Sequence, residues 1–379
     1  METALQEIYE KLGAEGLRIA RRQARAVAID SFSWVVWSLL FACIMLDESR
    51  SARLSRWLGG GDTLGALKVV LAILLLQNIY VALVEGYSLY QKESRIGTNR
   101  QSLVGWLKSR LKQRLLESVI FGLFYWGVYL AFRSRPDNWL PLVAVLVIFL
   151  LLVIYLSGYL QVRAGFEVEP LADDSFDTAM KRLFSKAGFK YGGVNVVKAS
   201  DKTTRVNALL TSKGGRLSLF IFDTLLEAME PEEVEFVAAH ELGHRASNDI
   251  FWRLGLHGVL MLIGVSIGHE MISRAQGHWG LYGAADVASL PLLLFGVSAW
   301  TFVAQVIPNT YMRYREYAAD SYALRLTENP SAFKSALVKL TTLNFVDPEP
   351  PEWLEFWFHN HPSVAKRLRR ALRFRDALR

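Results

Sequence analysis

The stretch His240-Glu241-Leu242-Gly243-His244 determines how the rest of this sequence is interpreted. Two histidines four residues apart on a helix lie on the same face, at the spacing that a zinc ion requires. A glutamate between two such histidines is the usual general base of a zinc site. Pro231-Glu232-Glu233 carries the proline and the acids that suit a helix N-terminus, so we expect one helix to begin there and to carry the motif.

A third metal ligand must come from another segment of the chain, because a catalytic zinc site has three protein ligands and one open position. The extended metzincin motif is excluded, since Ser247 and Ile250 occupy the positions of its glycine and third histidine. The best candidate ligand is Glu316. Asp320, one turn further on the same helical face, could accept the free ring N–H of a ligand histidine. A solvated helix with incidental acids is the alternative interpretation.

The apolar content of the chain predicts an integral membrane protein. Of its 379 residues 52% are hydrophobic, and the mean hydropathy is +0.20. The apolar residues form blocks long enough to cross a bilayer, and no short apolar segment with a cleavage site precedes the first of them. We expect a mainly α-helical protein with about six transmembrane helices, at 30–47, 65–89, 115–132, 138–161, 251–270 and 287–308.

The distribution of basic residues predicts the orientation of these spans. The net charge is +7, but lysines and arginines cluster beside the spans and form no recognisable nucleic-acid-binding module, so nucleic acid is excluded as a partner. Residues 1–29 and 90–114 are rich in lysine and arginine, whereas the connections on the opposite side are poorer. The positive-inside rule therefore places both termini, and the zinc motif, on the cytoplasmic side.

Two polar regions, 162–250 and 309–379, remain outside the predicted spans. The first contains three short β-rich runs, and Lys213-Gly214-Gly215 is typical of a hairpin turn. We therefore predict an N-terminal membrane domain over 1–161 with about four spans. A zinc-binding domain over 162–379 would contain a small β-sheet and be interrupted by the last two spans. Cys43, the only cysteine, lies in the first predicted span, which excludes an intrachain disulfide and a cysteine-based zinc site.

Several motifs in a fixed order give the chain a family resemblance. Asn207-Ala208 and the run Leu219–Leu226 precede the zinc motif, and Glu316, Asp320 and His361-Pro362 follow it. In this order they resemble the integral-membrane zinc endopeptidases of the CAAX prenyl protease type. The resemblance covers most of the chain. It implies a cytoplasmic, zincin-like α+β catalytic domain that holds one catalytic zinc ion.

The resemblance also implies roles for three further residues. Asn207 would lie on an edge strand beside the cleft, where an extended substrate adds to the sheet, although it could simply end a hairpin. His361 would lie near the metal and help to bind the substrate or its developing oxyanion. Arg367 is a possible anchor of this segment to an acid, and a solvated basic helix explains it almost as well.

The chain departs from this family at two points. Relatives often carry a further histidine shortly after the zinc motif, where this chain has Asp249, and eukaryotic members have an additional N-terminal span. The sequence is therefore more similar to a compact prokaryotic relative, which would reside in the cytoplasmic membrane. Three polar residues in the second span, Gln77, Asn78 and Glu85, would face either a hydrated chamber, as the resemblance suggests, or neighbouring helices.

These observations predict a zinc-dependent endopeptidase with Glu241 as the general base for water that zinc activates. Its partners would be the lipid bilayer and polypeptide substrates that are membrane-associated, lipidated or misfolded. Specific processing of prenylated C-terminal peptides is an alternative. A membrane scaffold or transporter with a structural zinc site is an alternative of another class, which would require a fourth protein ligand.

Overall fold

The computed structural model describes residues 2–80 and 86–377, which form a mainly helical chain with one small sheet. The helices are α1 (Glu2–Leu46), α2 (Arg50–Leu58), α3 (Thr63–Tyr80), α4 (Gly86–Arg95), α5 (Leu103–Ser134), α6 (Leu140–Gly165), α7 (Asp174–Lys186), α8 (Asp223–Ala228), α9 (Pro231–Ala246), α10 (Asp249–Arg274), α11 (Leu290–Ala304), α12 (Val306–Thr327), α13 (Pro330–Leu343), α14 (Glu352–Phe358) and α15 (Val364–Ala377). The strands are β1 (Val168–Pro170), β2 (Tyr191–Val197), β3 (Ala208–Lys213) and β4 (Arg216–Phe222).

Six apolar helical segments overlap the six predicted spans. Four are long and apolar enough to cross a membrane, and two are shorter. The long segments are Thr3–Leu58, Leu103–Ser134, Asp249–Arg274 and Val287–Ala304, and the shorter ones are Thr63–Asn78 and Leu140–Leu156. Part of the second predicted span, 81–85 with Glu85, lies outside the described residues. The described part of the chain therefore contains four candidate membrane-spanning helices.

Close helix contacts and neutral hydrogen bonds hold the membrane helices together. Helix α10 packs against α11, and a Cβ atom added at Gly296 would lie 2.9 Å from the backbone of Gly268. Between α3 and α5, the Asn78 side chain donates to the Ser118 hydroxyl at 3.0 Å, while Gln77 is buried. Asn78 therefore uses interhelical hydrogen bonding, the second of the two possibilities that the sequence left open.

The sheet has four strands in the order β1-β2-β4-β3 and is mixed, because β2 and β4 run parallel while the other neighbours are antiparallel. Strands β3 and β4 form the expected hairpin. Its turn contains Gly214 and Gly215 with φ values of 59° and 75°, the conformation that favours glycine in two-residue hairpin turns. Strand β3 forms one edge of the sheet and packs against α9. The sheet therefore lies beside the helix that carries the zinc motif.

The beginning of the chain packs into the core around the zinc-motif helix. Helix α1 is kinked at Gly13, whose φ of 59° is accessible mainly to glycine. Before this kink, Ala4, Ile8 and Leu12 are buried with residues of α7, α9 and α13. The first turns of the chain thus contribute to this core, although they precede every predicted span.

Candidate metal centre

Helix α9 presents the two motif histidines on the face opposite the residues that it buries in the core. The helix starts with Pro231 at its first position and a reciprocal capping box between Glu230 and Glu233. Ala238, Ala239 and Leu242 are fully buried, so the core fixes the rotation of the helix about its axis. The remaining face carries the two motif histidines, which are only partly exposed.

Helix α12 approaches α9 closely enough to bring Glu316 to both histidines. Gly243 lies between the helices, and a Cβ atom there would lie 2.9 Å from the Cα atom of Ala319. Small residues at both positions permit this approach, which leaves the Glu316 side chain 1% exposed. A glutamate so deeply buried needs compensating partners, because removing an isolated carboxylate from water costs several kcal/mol.

His240, His244 and Glu316 offer ligand atoms that all lie within 4.8 Å of one another. Nε2 of His240 is 3.5 Å from Oε2 of Glu316, and Nε2 of His244 is 3.3 Å from Oε1. Ligand atoms about 2.1 Å from a tetrahedral zinc ion are about 3.4 Å apart, so each imidazole lies at ligand spacing from one oxygen of the Glu316 carboxylate. Oε2 lies 3.5 Å from Nε2 of His240 and 2.9 Å from Nδ1 of His361, and within the described part of the chain neither nitrogen meets it in hydrogen-bond geometry. The donor set of two imidazoles and a carboxylate suits zinc.

The outer nitrogen of His240 contacts the predicted supporting acid. Nδ1 lies 3.0 Å from Oδ1 of Asp320, and Asp320 accepts two hydrogen bonds from Arg367, at 2.8 and 2.6 Å. Burial alone would lower the pKa of His240, but the carboxylates of Asp320 and Glu316 outweigh it and raise that pKa to about 10. Burial opposes ionisation of Asp320 too, yet Arg367 and His240 hold its pKa at about 2. Arg367 therefore joins α15 to α12 beside the candidate metal centre.

The outer nitrogen of His244 makes a hydrogen bond that the sequence analysis did not predict, whereas Nδ1 of His240 meets no described residue in hydrogen-bond geometry. Nδ1 lies 2.8 Å from Oδ2 of Asp249, and Nε of Arg315 donates to Oδ1 of Asp249 at 2.5 Å. The sequence carried two signals for this arrangement: an acid soon after the motif, and an arginine next to Glu316. Asp249 appeared in the sequence only as a departure from the family pattern.

Two further polar side chains, those of Glu241 and His361, lie near the motif histidines. Burial raises the pKa of Glu241, although the neighbouring imidazoles oppose the shift, so its carboxylate is a stronger base than an exposed one. Nδ1 of His361 is 2.9 Å from Oε2 of Glu316, while 60% of the His361 side chain remains exposed. His361 is thus the most solvent-accessible histidine near the candidate metal centre among those described.

Asn207 lies apart from this cluster, immediately before β3 on the free edge of the sheet. The side chain is exposed, its Oδ1 accepts from the Ala208 N–H at 3.0 Å, and its backbone oxygen accepts from Phe222. Because β3 packs against α9, this edge runs alongside the zinc-motif helix. The structure therefore brings together every predicted site residue except Asn207, which lies on the neighbouring sheet edge.

Comparison with known proteins identifies the family. The model of peptidase family M48 matches residues 170–375. An uncharacterised metalloprotease, YhfN of Bacillus subtilis, is 26% identical over 347 residues, covering 88% of this chain and 80% of that protein. CAAX prenyl protease 1 of Saccharomyces cerevisiae is 22% identical over 303 residues, or 74% of this chain and 66% of that protein.

A solved structure supports the same assignment at the level of the fold. The crystal structure of S. mikatae Ste24p superposes with a TM-score of 0.75 at 17% sequence identity, covering 93% of this chain and 88% of that one. The shared fold includes the membrane helices as well as the region around the zinc motif. Because the family model spans more than half of the sequence, the chain belongs to peptidase family M48 and is a membrane zinc metalloprotease of the CAAX prenyl protease type.

Proposed function

We propose that His240, His244 and Glu316 hold one zinc ion and that Glu241 is the general base of the endopeptidase. The observation that carries this proposal is the convergence of the three ligand atoms within 4.8 Å on two closely packed helices. When bound there, zinc would supply Lewis acidity, which lowers the pKa of water and polarises a carbonyl group. Three protein ligands leave one position open, as catalytic zinc sites require.

Glu241 would move the proton during hydrolysis. Its carboxylate takes a proton from the attacking water and delivers it to the leaving amine nitrogen of the cleaved peptide bond. A burial-raised pKa suits this exchange, because a base with a pKa closer to neutrality both accepts and releases the proton readily. Asp320 would accept the N–H of His240 and fix the tautomer in which Nε2 is available to the metal.

Two residues are proposed to contact the substrate. His361 is 60% exposed yet lies within 2.9 Å of Glu316, so it can donate to the oxyanion that develops on the attacked carbonyl group. The outer edge of β3, beginning at Asn207, pairs with no further strand of the described residues and offers its backbone groups to an extended peptide. Arg367 would act indirectly, since it anchors α15 to Asp320.

The membrane arrangement is proposed to comprise six spans, with both termini and the candidate metal centre on the cytoplasmic side of a prokaryotic cytoplasmic membrane. The excess of lysine and arginine in 1–29 and 90–114 supports this orientation. Residues 1–161 would form the N-terminal membrane domain. Residues 162–379, interrupted by two spans, would form the cytoplasmic α+β peptidase domain.

The substrates are proposed to be membrane-associated, lipidated or misfolded polypeptides. Removal of residues from prenylated C-terminal peptides is the narrower alternative, favoured by the similarity to proteins named CAAX prenyl protease. A scaffold or transporter with a structural zinc ion is the alternative of another class. The three-ligand group among the described residues argues against it, because structural zinc sites are closed by four ligands.

The proposal is tested by measuring zinc content and peptide cleavage together on detergent-purified protein. We expect Glu241→Gln to retain zinc and to lower kcat by roughly 10²–10⁴-fold, and His240→Ala to lose both zinc and cleavage. Casein and a farnesylated peptide would distinguish the two substrate classes. Glu235→Gln is the matched control, because Glu235 is another partly buried glutamate of α9.

The possible results of this experiment test the general base, the role of zinc and the substrate class separately. Full cleavage by Glu241→Gln would exclude Glu241 as the general base. Zinc in the wild type without cleavage of either probe would favour the structural-zinc alternative. Loss of cleavage in Glu235→Gln would show that the assay responds to any change in the helix. Cleavage of the farnesylated peptide alone would assign the narrower, prenylated substrate class.

A further inference from the structure

The position of Asp249 depends on a break in the chain directly after the zinc-motif helix. In a continuous helix, a residue five positions after His244 would be rotated about 140° away from it. Helix α9 instead ends at Ala246, and Asn248 adopts a left-handed conformation with φ 53° and ψ 35° before α10 begins at Asp249. This turn brings Oδ2 of Asp249 to 2.8 Å from Nδ1 of His244.

Both carboxylate oxygens of Asp249 have partners on different elements. While Oδ2 faces His244 of α9, Oδ1 accepts from Nε of Arg315 on α12 at 2.5 Å. Asp249 is only 4% exposed, and the Arg315 side chain is 17% exposed. The pair therefore joins α9, α10 and α12 next to Glu316, the adjacent residue in sequence to Arg315.

We propose that Asp249 and Arg315 are positioning residues for His244. Asp249 accepts the Nδ1–H of His244 and so fixes the tautomer and ring orientation in which Nε2 points at Glu316. Arg315 holds the carboxylate of Asp249 in place. The inference rests on the proposed function, because it assumes that His244 is a zinc ligand.

The other motif histidine provides an internal comparison. His240 contacts Asp320, which is held by Arg367, and His244 contacts Asp249, which is held by Arg315. The two triads come from different parts of the chain, since Asp320 lies on α12 while Asp249 begins a membrane helix. The outer nitrogen of each histidine thus lies within 3.0 Å of a carboxylate that an arginine holds, and the contact of His244 has hydrogen-bond geometry. Carboxylates in this position orient metal-binding imidazoles.

A purely structural ion pair between α10 and α12 is the competing explanation. It requires only the contact between Asp249 and Arg315 and leaves the contact with His244 without a role. The two explanations differ in one measurable quantity, the zinc affinity of the folded protein. A positioning role predicts a loss of zinc affinity beyond any loss of stability.

The experiment measures the zinc dissociation constant by competition with a chelator, and the thermal stability of the metal-free protein, for the full-length chain in detergent. We expect Asp249→Asn, which preserves the size of the side chain, to weaken zinc binding by roughly 10–100-fold. Arg315→Lys keeps the positive charge and should weaken zinc binding by less than Arg315→Met does. Cobalt bound in place of zinc should show a changed visible spectrum in Asp249→Asn, because the spectrum reports ligand geometry.

Glu233→Gln is the matched control, because it breaks another buried ion pair of α9, in which Lys339 Nζ lies 2.8 Å from Oε2 of Glu233. It should lower stability and leave zinc affinity unchanged. Unchanged zinc affinity in Asp249→Asn, or an equal loss in Glu233→Gln, would overturn the inference. His244→Ala distinguishes a failure of the positioning role from a failure of the ligand assignment: if this variant binds zinc as tightly as the wild type, the proposed ligand set itself is wrong.

Discussion

The region around the zinc motif and the membrane region differ in the partners of their buried polar groups. Around the motif, charged side chains are buried and partnered across helices, as in Glu316 with two histidines and Asp320 with Arg367. Between the membrane helices, the described buried groups are mostly hydroxyls with neutral partners. Tyr129, for example, is fully buried and contacts the Ser289 hydroxyl at 2.8 Å.

This difference distinguishes a region of paired charges, which suits metal binding, from a region of neutral groups, which suits helix packing. Buried ions are costly unless fully paired, and replacing such pairs with apolar residues is often neutral or stabilising. The convergence of several such groups on one motif therefore indicates a functional requirement, whereas Glu233 and Lys339 form a single buried pair elsewhere on α9. Neutral hydrogen bonds and close glycine contacts suffice where helices only need to associate. Changes in the first region should alter metal binding, and changes in the second should alter stability alone.

The largest effect is expected for Glu316→Gln, which replaces a charged ligand by a neutral amide. Zinc binding free energies of about 10–16 kcal/mol are shared among a few ligands, so we expect affinity to fall roughly 1,000-fold. Chelator competition measures this change. The control is Glu328→Gln, a glutamate whose side chain is 77% exposed just after the same helix, and it should bind zinc normally. Tight zinc binding by Glu316→Gln would show that the buried charge of Glu316 is not required for metal binding.

A pH dependence of zinc binding should follow from the charges around the motif. His240 has a pKa of about 10 in the metal-free protein, so its ring is protonated at neutral pH and zinc must displace a proton. We therefore expect affinity to rise with pH, roughly tenfold per pH unit for each proton released, until that pKa is reached. Calorimetry in two buffers with different ionisation enthalpies counts the protons. Zinc binding without proton release would contradict the expectation.

Two glycines at close helix contacts allow the same substitution to be made in both regions. A Cβ atom at Gly243 would lie 2.9 Å from Ala319, and one at Gly296 would lie 2.9 Å from Gly268. Each alanine substitution should lower the free energy of unfolding by about 1–3 kcal/mol through overpacking. Only Gly243→Ala should also weaken zinc binding, because it separates the helices that carry the proposed ligands. Thermal unfolding and zinc titration of both variants measure this difference.

The control for these substitutions is Gly255→Ala. A Cβ atom at Gly255, in the same helix as Gly268, would meet nothing within 4 Å. This variant should be neutral or gain about 0.5–1 kcal/mol, since alanine favours a helix more than glycine does. Equal zinc losses in Gly243→Ala and Gly296→Ala would mean that the two regions are energetically coupled.

The smallest effect is expected for Tyr129→Phe. The substitution removes one neutral hydrogen bond, and Ser289 keeps its bond to the Asp286 carbonyl at 2.6 Å. We expect a loss of about 0.5–1.5 kcal/mol in the free energy of unfolding and unchanged zinc binding. Tyr282→Phe serves as the control because Tyr282 is 80% exposed. A reduced zinc affinity in Tyr129→Phe would show that the membrane region acts on the candidate metal centre.

Periodicity and motif order predicted much of the fold. Long apolar blocks have one stable conformation in a bilayer, so their positions were recognisable before their packing was known. The hairpin was predicted because Gly214 and Gly215 suit its turn. Strand β1 was not predicted, since three residues carry no clear alternation. The number of spans that cross the membrane and the boundary of the two domains stay predictions.

The sequence by itself determined the membrane class, the zinc motif and the candidate third ligand, because each is a local pattern with a fixed spacing or length. The sequence predicted Asp320 as an acceptor for a ligand histidine, and only the tertiary structure showed that this histidine is His240 and that Asp249 contacts His244. Asp249 looked like a departure from the family pattern until the left-handed Asn248 placed it against His244. Contacts of this kind depend on one backbone turn and on the packing of α9 against α12, which the positions of Asp249 and Arg315 in the sequence suggest but do not specify.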